Sequence, residues 1–276
     1  MLGSTREATV RVAGIQLDVA WEDPAANLPR ASSMVAEAAA AGARLIVLPE
    51  MFATGFSMAA TEMAAHADAI RGGLSELARR HGVWLLGGYA EPGEERPHNA
   101  CSLMNPEGSE VLHYRKIHPF SMAGEGDHYE AGTRMVTADV EGIRITPTIC
   151  YDLRFPEIYR ATAARTDLFV VIASWPDRRS DAWRTLLAAR AIDCLAWVLG
   201  VNRVGKDPYD VPHRGDTSLV DPMGKAVEAL AWAEGIVAGE VDVVRARELR
   251  RRLPFLDDRR PEVYASLAPT RPGDGG

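Results

Sequence analysis

Leu168-Phe-Val-Val-Ile-Ala-Ser174 is almost wholly apolar and does not alternate with polar residues. A strand of this composition is stable only with both faces covered, the condition of a strand buried inside a layered α/β protein. Residues 10–16, 45–48, 83–89 and 196–201 read as further strands. Between them, residues 25–41 are rich in helix formers and stop at Gly42. Residues 70–81 form a second predicted helix ending through Gly82, and residues 181–195 a longer one. Helix–strand alternation of this kind predicts an α/β architecture.

The middle of the chain differs. Residues 99–104, a turn at Pro106-Glu-Gly108 and residues 111–115 read as a β-hairpin. A loop bearing Gly124, Gly126 and Gly132 precedes a strand that ends at Cys150, and Pro156 and Glu157 open a short helix. A second hairpin pairs residues 217–220 with 226–229 around Asp221-Pro-Met-Gly224. A strand over 236–241 and an Arg-rich helix over 243–253 follow. No long polar linker divides the chain, so one domain over 1–268 is expected, with a Pro/Gly/Asp-rich disordered tail over 269–276.

Bulk properties exclude several classes. A 276-residue chain that is 47% hydrophobic has material for a substantial core. The net charge of -7 argues against a nucleic-acid or anionic-membrane surface. Cys101, Cys150 and Cys194 are odd in number and widely spaced, offering no disulfide framework and no zinc pattern, and the histidines have no metal spacing. The N-terminal residues lack the apolar run of a signal peptide, and no apolar stretch approaches the roughly 20 residues that span a bilayer. A cytoplasmic protein is expected.

Three predicted strands end in reactive side chains: Leu45-Ile-Val-Leu-Pro-Glu50, Leu112-His-Tyr-Arg-Lys116, and Ile143-Arg-Ile-Thr-Pro-Thr-Ile-Cys150. Strand ends that share one sheet edge are where pockets form. Together a carboxylate, an ammonium and a thiol supply a base, an oxyanion stabiliser and a nucleophile. Each also has a plainer reading. An unpaired cysteine is usually a small core residue, the reading given to Cys101 and Cys194. Cys150 differs because the apolar run stops there and Tyr151-Asp-Leu-Arg-Phe-Pro156 turns the chain toward a helix. That turn projects the thiol, places the Tyr151 N–H beside an incipient oxyanion, and, with a helix N-terminus and nearby cations, is expected to lower the thiol pKa from its usual ~8.5.

Glu50 can cap a following turn. Yet Met51-Phe-Ala-Thr-Gly-Phe56 after it suits a pocket wall, and a half-buried carboxylate there can shuttle a proton near neutrality. Lys116 can be half of a solvated Arg–Lys pair. However, only three of the 31 basic residues are lysines, and a compact ammonium fits a narrow oxyanion slot better than a guanidinium. Glu125 is either an exposed loop acid or a second carboxylate that orients Lys116 or water. Arg154 either pairs with Asp152 or Glu157 or binds a substrate carboxylate, and Trp175 is core or pocket wall. Order alone leaves open a dyad of Cys150 with His118 or His213.

Glu50, Lys116 and Cys150, in that order, resemble the catalytic triad of the nitrilase (carbon–nitrogen hydrolase) superfamily. The motifs that carry the resemblance are Leu48-Pro-Glu-Met-Phe52, Tyr114-Arg-Lys-Ile-His118, Cys150-Tyr-Asp-Leu-Arg-Phe-Pro-Glu157, Ala189-Arg-Ala-Ile-Asp193, Val201-Asn-Arg-Val-Gly205 and His213-Arg-Gly-Asp-Thr-Ser218. The cysteine motif is similar to the small-amidase branch. Phe120-Ser-Met-Ala-Gly-Glu125 and Asn202-Arg-Val-Gly205 are similar to bacterial omega-amidases. The resemblance implies a four-layer α-β-β-α sandwich, a homodimer, and hydrolysis of the terminal amide of a small 2-oxo acid monoamide, 2-oxoglutaramate or 2-oxosuccinamate, through a cysteine thioester. It implies Glu50, Lys116, Cys150 and Glu125 as catalytic residues, with Tyr151, Arg154, Trp175 and Phe56 around the substrate. The mechanism it implies requires no metal or organic cofactor. The rival readings are a sibling acting on deaminated glutathione or an N-carbamoyl amine, a non-enzymatic thiol sensor, and a Cys-His protease.

Overall fold

In a computed structural model, residues 9–267 are described. The tail expected over 269–276 lies outside them. Strands β1 (Thr9–Gln16), β2 (Leu45–Val47), β3 (Trp84–Glu91), β4 (His98–Met104) and β5 (Glu110–Arg115) precede β6 (Ala138–Val140), β7 (Ile143–Ile149), β8 (Leu168–Ala173) and β9 (Trp197–Asn202). The last four are β10 (Val204–Lys206), β11 (Pro212–Val220), β12 (Ala226–Ala231) and β13 (Gly235–Asp242). Five helices are seven residues or longer, α1 (Pro24–Ala40), α3 (Ala67–His81), α5 (Pro156–Thr162), α6 (Ser180–Cys194) and α7 (Val243–Arg252). Three are shorter, α2 (Ala60–Ala64), α4 (Glu125–His128) and α8 (Pro261–Ser266). None of these is long and apolar enough to cross a membrane.

The strands form a six-stranded sheet, in the order β13-β1-β2-β3-β4-β5, and a seven-stranded one, β10-β11-β9-β8-β7-β6 with β12 beside β11. Alternate residues explain why β8 is apolar throughout. Leu168, Val170 and Ile172 face the other sheet, meeting Val12, Val47, Leu86 and Leu103. Phe169, Val171 and Ala173 face outward onto Tyr159 of α5 and Trp183, Leu187 and Ala191 of α6. On the opposite side, Ile15, Ile46, Leu85 and Ala100 pack on Val35 of α1 and Ile70 and Leu74 of α3. The resulting order is helices, sheet, sheet, helices, the α-β-β-α sandwich expected.

Direction within the sheets positions the site. β1, β2 and β3 are parallel, and β4 then β5 are antiparallel in turn, so β5 runs with β2. Strands β7, β8 and β9 are likewise parallel. The residues that follow β2, β5, β7 and β8 are therefore carried to strand ends of one sense in each sheet. They meet where Glu50, beyond β2, accepts a hydrogen bond from Ser174, beyond β8.

Candidate active site

Glu50 is fully buried, deeper than the half-buried group expected from sequence. Its backbone is pressed against β3, where a Cβ on Gly88 would lie 3.0 Å from the Glu50 Cα, so only glycine admits the approach. The carboxylate is saturated with donors. Oε1 accepts from Asn99 Nδ2 at 2.7 Å and Lys116 Nζ at 3.1 Å, and Oε2 accepts from the Ser174 N–H at 2.7 Å.

Lys116 follows β5, and its backbone is clamped on both sides. Its N–H donates to Asn99 O at 2.8 Å, and its carbonyl accepts from the Gly132 N–H at 2.7 Å. The ammonium donates to Glu125 Oε2 at 2.8 Å and Oε1 at 3.0 Å, and lies 5.1 Å from the centre of the Phe56 ring. Burial opposes its charge, but Glu125 and then Glu50 outweigh burial and hold it protonated well above the ordinary lysine range. Glu125 opens α4 and is buried, so the reading of it as an exposed loop acid does not hold. It also accepts the Phe120 N–H. Two carboxylates share one ammonium.

Asn99 of β4 is the member that sequence reasoning missed. Its amide nitrogen bridges the two acids, donating to Glu50 Oε1 at 2.7 Å and to Glu125 Oε1 at 2.8 Å, while its own buried oxygen has no partner. The only sequence signal is a polar residue inside a strand whose every position is buried.

Cys150 ends β7 in the left-handed region, with φ of 48°, and opens a 3-10 turn over Cys150–Arg154. A non-glycine residue held there stores backbone strain of order 1 kcal/mol or more. Asp152 supplies the restraint, accepting the Ile149 N–H at 3.0 Å and the Tyr114 hydroxyl at 2.7 Å. Arg190 of α6 adds to it by donating twice to the Leu153 carbonyl. The expected depression of the thiol is overturned. Burial foremost, and then the Glu50 charge, push Cys150 well above the ordinary thiol range, and Lys116 does not offset them. Desolvation favours the neutral thiol, and the Lys116 ammonium is already paired with two carboxylates.

Cys150 lies in a pocket of about 340 Å³ whose walls include Phe56, Tyr151, Arg154 and Trp175. These are the four residues expected around a substrate. Trp175 is both core and wall: it is buried, and its indole N–H donates to the Arg179 carbonyl at 2.8 Å. Arg154 does not join Asp152 or Glu157. Asp152 is taken by Tyr114, His118 and Ile149, and the exposed guanidinium lies 4.9 Å from the Trp175 ring centre. Arg178, Arg179, Tyr209 and His213 also line this pocket and were not read from sequence as substrate-facing. A larger, polar hollow of about 710 Å³ around His98, His113 and Arg134 shares no lining residue with it.

His118 does not line the pocket that holds Cys150; its Nδ1 meets Asp152 at 2.8 Å and its ring stacks on Phe155. His213 is buried against the pocket, where burial and then Arg203 push its pKa down to about 4.

Residues 11–251 match the family model described as carbon-nitrogen hydrolase. The chain belongs to the carbon–nitrogen hydrolase family. Among curated members of that family, it is 31% identical over 254 residues to the 2-oxoglutaramate amidase of Bacillus subtilis, covering 91% of this chain and 97% of the relative. It is 34% identical over 250 residues to the omega-amidase YafV of Escherichia coli strain K12, covering 90% and 96%. Among solved structures it superposes on XC1258 of Xanthomonas campestris, a carbon–nitrogen hydrolase superfamily protein with an arsenic adduct in its active site. The TM-score is 0.86 at 31% identity, covering 91% of this chain and 97% of that one. The order of Glu50, Lys116 and Cys150 along this hydrolase thus coincides with a family fold, and the buried cluster gives the order a physical reason.

Proposed function

We propose that this hydrolase is an amidase that converts a small 2-oxo acid monoamide, 2-oxoglutaramate or 2-oxosuccinamate, into the 2-oxo dicarboxylate and ammonia. The single observation that carries the reading is the buried Glu50–Lys116–Glu125 cluster beside a strained thiol in a pocket sized for a small molecule. The names borne by the Bacillus subtilis and Escherichia coli relatives supply the substrate class.

In this mechanism Glu50 removes the Cys150 proton as sulfur attacks the amide carbon. A thiol held above its ordinary range keeps its proton until substrate arrives, so deprotonation and attack belong to one event. The oxyanion is held by the Lys116 ammonium and the Tyr151 N–H; loss of one such donor costs roughly 10²–10³ in rate. Glu50 returns the proton to the departing nitrogen, ammonia leaves, and the acyl group remains as a thioester on Sγ. Glu50 then takes a proton from water, hydroxide adds to the thioester, and collapse releases the acid and restores the thiol. Glu125 keeps Lys116 charged and aimed through both stages.

Arg154, at the pocket wall, offers a guanidinium to the substrate carboxylate, while Phe56 and Trp175 cover its carbon chain. The same reading places the enzyme in the cytoplasm as a homodimer built from one domain per chain.

The test is ammonia release, in a coupled assay, from 2-oxoglutaramate and 2-oxosuccinamate beside glutamine and an N-carbamoyl amino acid. Turnover concentrated on the two 2-oxo amides is the expected result. No turnover of either, with active protein on another amide, overturns the substrate assignment.

A further inference from the structure

Three guanidiniums, those of Arg154, Arg178 and Arg179, line the pocket that holds Cys150, and none of them is in an ion pair among the described residues. The only acid in that lining is Asp207, whose Oδ1 is occupied by the N–H groups of Tyr209 and Val211 within its own loop. Elsewhere the chain pairs its arginines freely: Asp167 alone meets Arg144, Arg247 and Arg250. Three cations crowded into one concave wall with a single carboxylate among them repel one another, and an anionic ligand relieves that repulsion.

The three are not equivalent. Arg154 and Arg178 are exposed, whereas Arg179 is half-buried. The Arg179 backbone is fixed by the Trp175 indole donating to its carbonyl at 2.8 Å, and its guanidinium lies 5.0 Å from the centre of the Phe120 ring. A guanidinium stacked on an aromatic ring keeps its in-plane N–H edge free for a carboxylate, and a half-buried one gains more from that pairing than an exposed one. Burial, and then the charge of Arg178 with a smaller contribution from Arg154, destabilise the Arg179 cation.

We propose that Arg179 is the specificity-determining residue, pairing through its guanidinium edge with the substrate carboxylate while Arg154 closes the same group from the solvent side. This rests on the amidase reading above and deepens it, since it restricts the substrate to a short amide that carries an anion on the acyl side. Arg178, with no stacking partner, contributes field and not contact.

The experiment compares 2-oxoglutaramate with pentanamide, an uncharged amide of equal chain length, in wild type and in the Arg179→Met, Arg179→Lys and Arg178→Met variants. The expected result is a fall of about 100-fold in the ratio of kcat/KM for 2-oxoglutaramate to that for pentanamide in Arg179→Met. The fall should lie mainly in KM, with partial recovery in Arg179→Lys and a smaller fall in Arg178→Met. A second reading needs no neutral substrate: 2-oxoglutarate should protect Cys150 from alkylation by iodoacetamide in wild type, and far less in Arg179→Met. A ratio in Arg179→Met within about threefold of wild type, equal losses on both amides, or unchanged protection overturns the proposal. A wild-type enzyme that hydrolyses pentanamide but no 2-oxo amide overturns the parent reading instead, an outcome no Arg179 variant can imitate.

Discussion

The Glu50 carboxylate accepts the backbone N–H of Ser174 at 2.7 Å, a bond between two residues that follow strands of different sheets. It fixes the base of one sheet against the pocket wall of the other, so the catalytic geometry is part of the sandwich interface. Replacement of the acid by its amide separates these roles. Glu50→Gln keeps one oxygen for the Ser174 N–H but has no proton-accepting carboxylate. The variant should fold with a lowered unfolding midpoint, because its amide nitrogen faces the Asn99 and Lys116 donors, and lose roughly 10²–10⁴ in kcat. Retention of more than a tenth of wild-type kcat would show that another group takes the Cys150 proton.

Asn99 joins the two acids that share Lys116, and its role is to hold their carboxylates in register around one ammonium. Asn99→Leu preserves bulk and removes the bridging donor. The expected effect is a fall of roughly 10–100-fold in kcat with KM within about threefold, because the substrate does not touch Asn99, and a stability loss of about 1–3 kcal/mol. Asn99→Asp is the sharper case. A third carboxylate against one ammonium should lower both activity and the urea midpoint well beyond Asn99→Leu. Equal behaviour of the two variants would argue that Asn99 acts only by filling space.

The α/β architecture and the strands ending in reactive side chains were legible from local chemistry, whereas the four-layer order came only with the resemblance to the carbon–nitrogen hydrolase superfamily. Apolar runs at 45–48 and 168–173 specify strands covered on two faces, and Gly42 and Gly82, both at positive φ, stop helices where the helix formers end. Less was legible where the outcome depends on distant neighbours. Desolvation of Cys150 and the charge of Glu50 come from residues a hundred positions apart, so the thiol was expected lower and lies higher. Asp177-Arg-Arg-Ser180 carries no motif that sets it apart in the sequence. Only the Trp175 and Phe120 contacts show that Arg179 faces the pocket. Helix α8 left no periodic signal because it has no buried residue to generate one.

Cys150 has φ of 48°, which gives a prediction opposite to the usual order of alanine and glycine. Elsewhere glycine destabilises relative to alanine through the unfolded chain. At this position the Cβ of alanine meets the left-handed penalty and glycine does not, so Cys150→Gly should be more stable than Cys150→Ala by about 1 kcal/mol. Both should be inactive. Urea denaturation of the two variants checks the strain, and an alanine variant of greater stability would show that the turn relaxes when sulfur is removed.

His213 supplies the pH dependence. It is buried at 4% exposure with its pKa pushed down to about 4, by burial first and by Arg203 next. The unfolded chain protonates this histidine near pH 6.5 and the native state does not until about pH 4, so between those values the unfolded state binds more protons. Stability from this group is complete above pH 6.5 and is lost as pH falls toward 4, by up to about 3 kcal/mol. His213→Asn, which does not titrate, should therefore show a smaller drop in unfolding free energy between pH 7.5 and 4.5 than wild type, by roughly 2–3 kcal/mol. Parallel pH profiles for the two proteins would show that His213 is solvated in the native state and that acid sensitivity arises among the carboxylates.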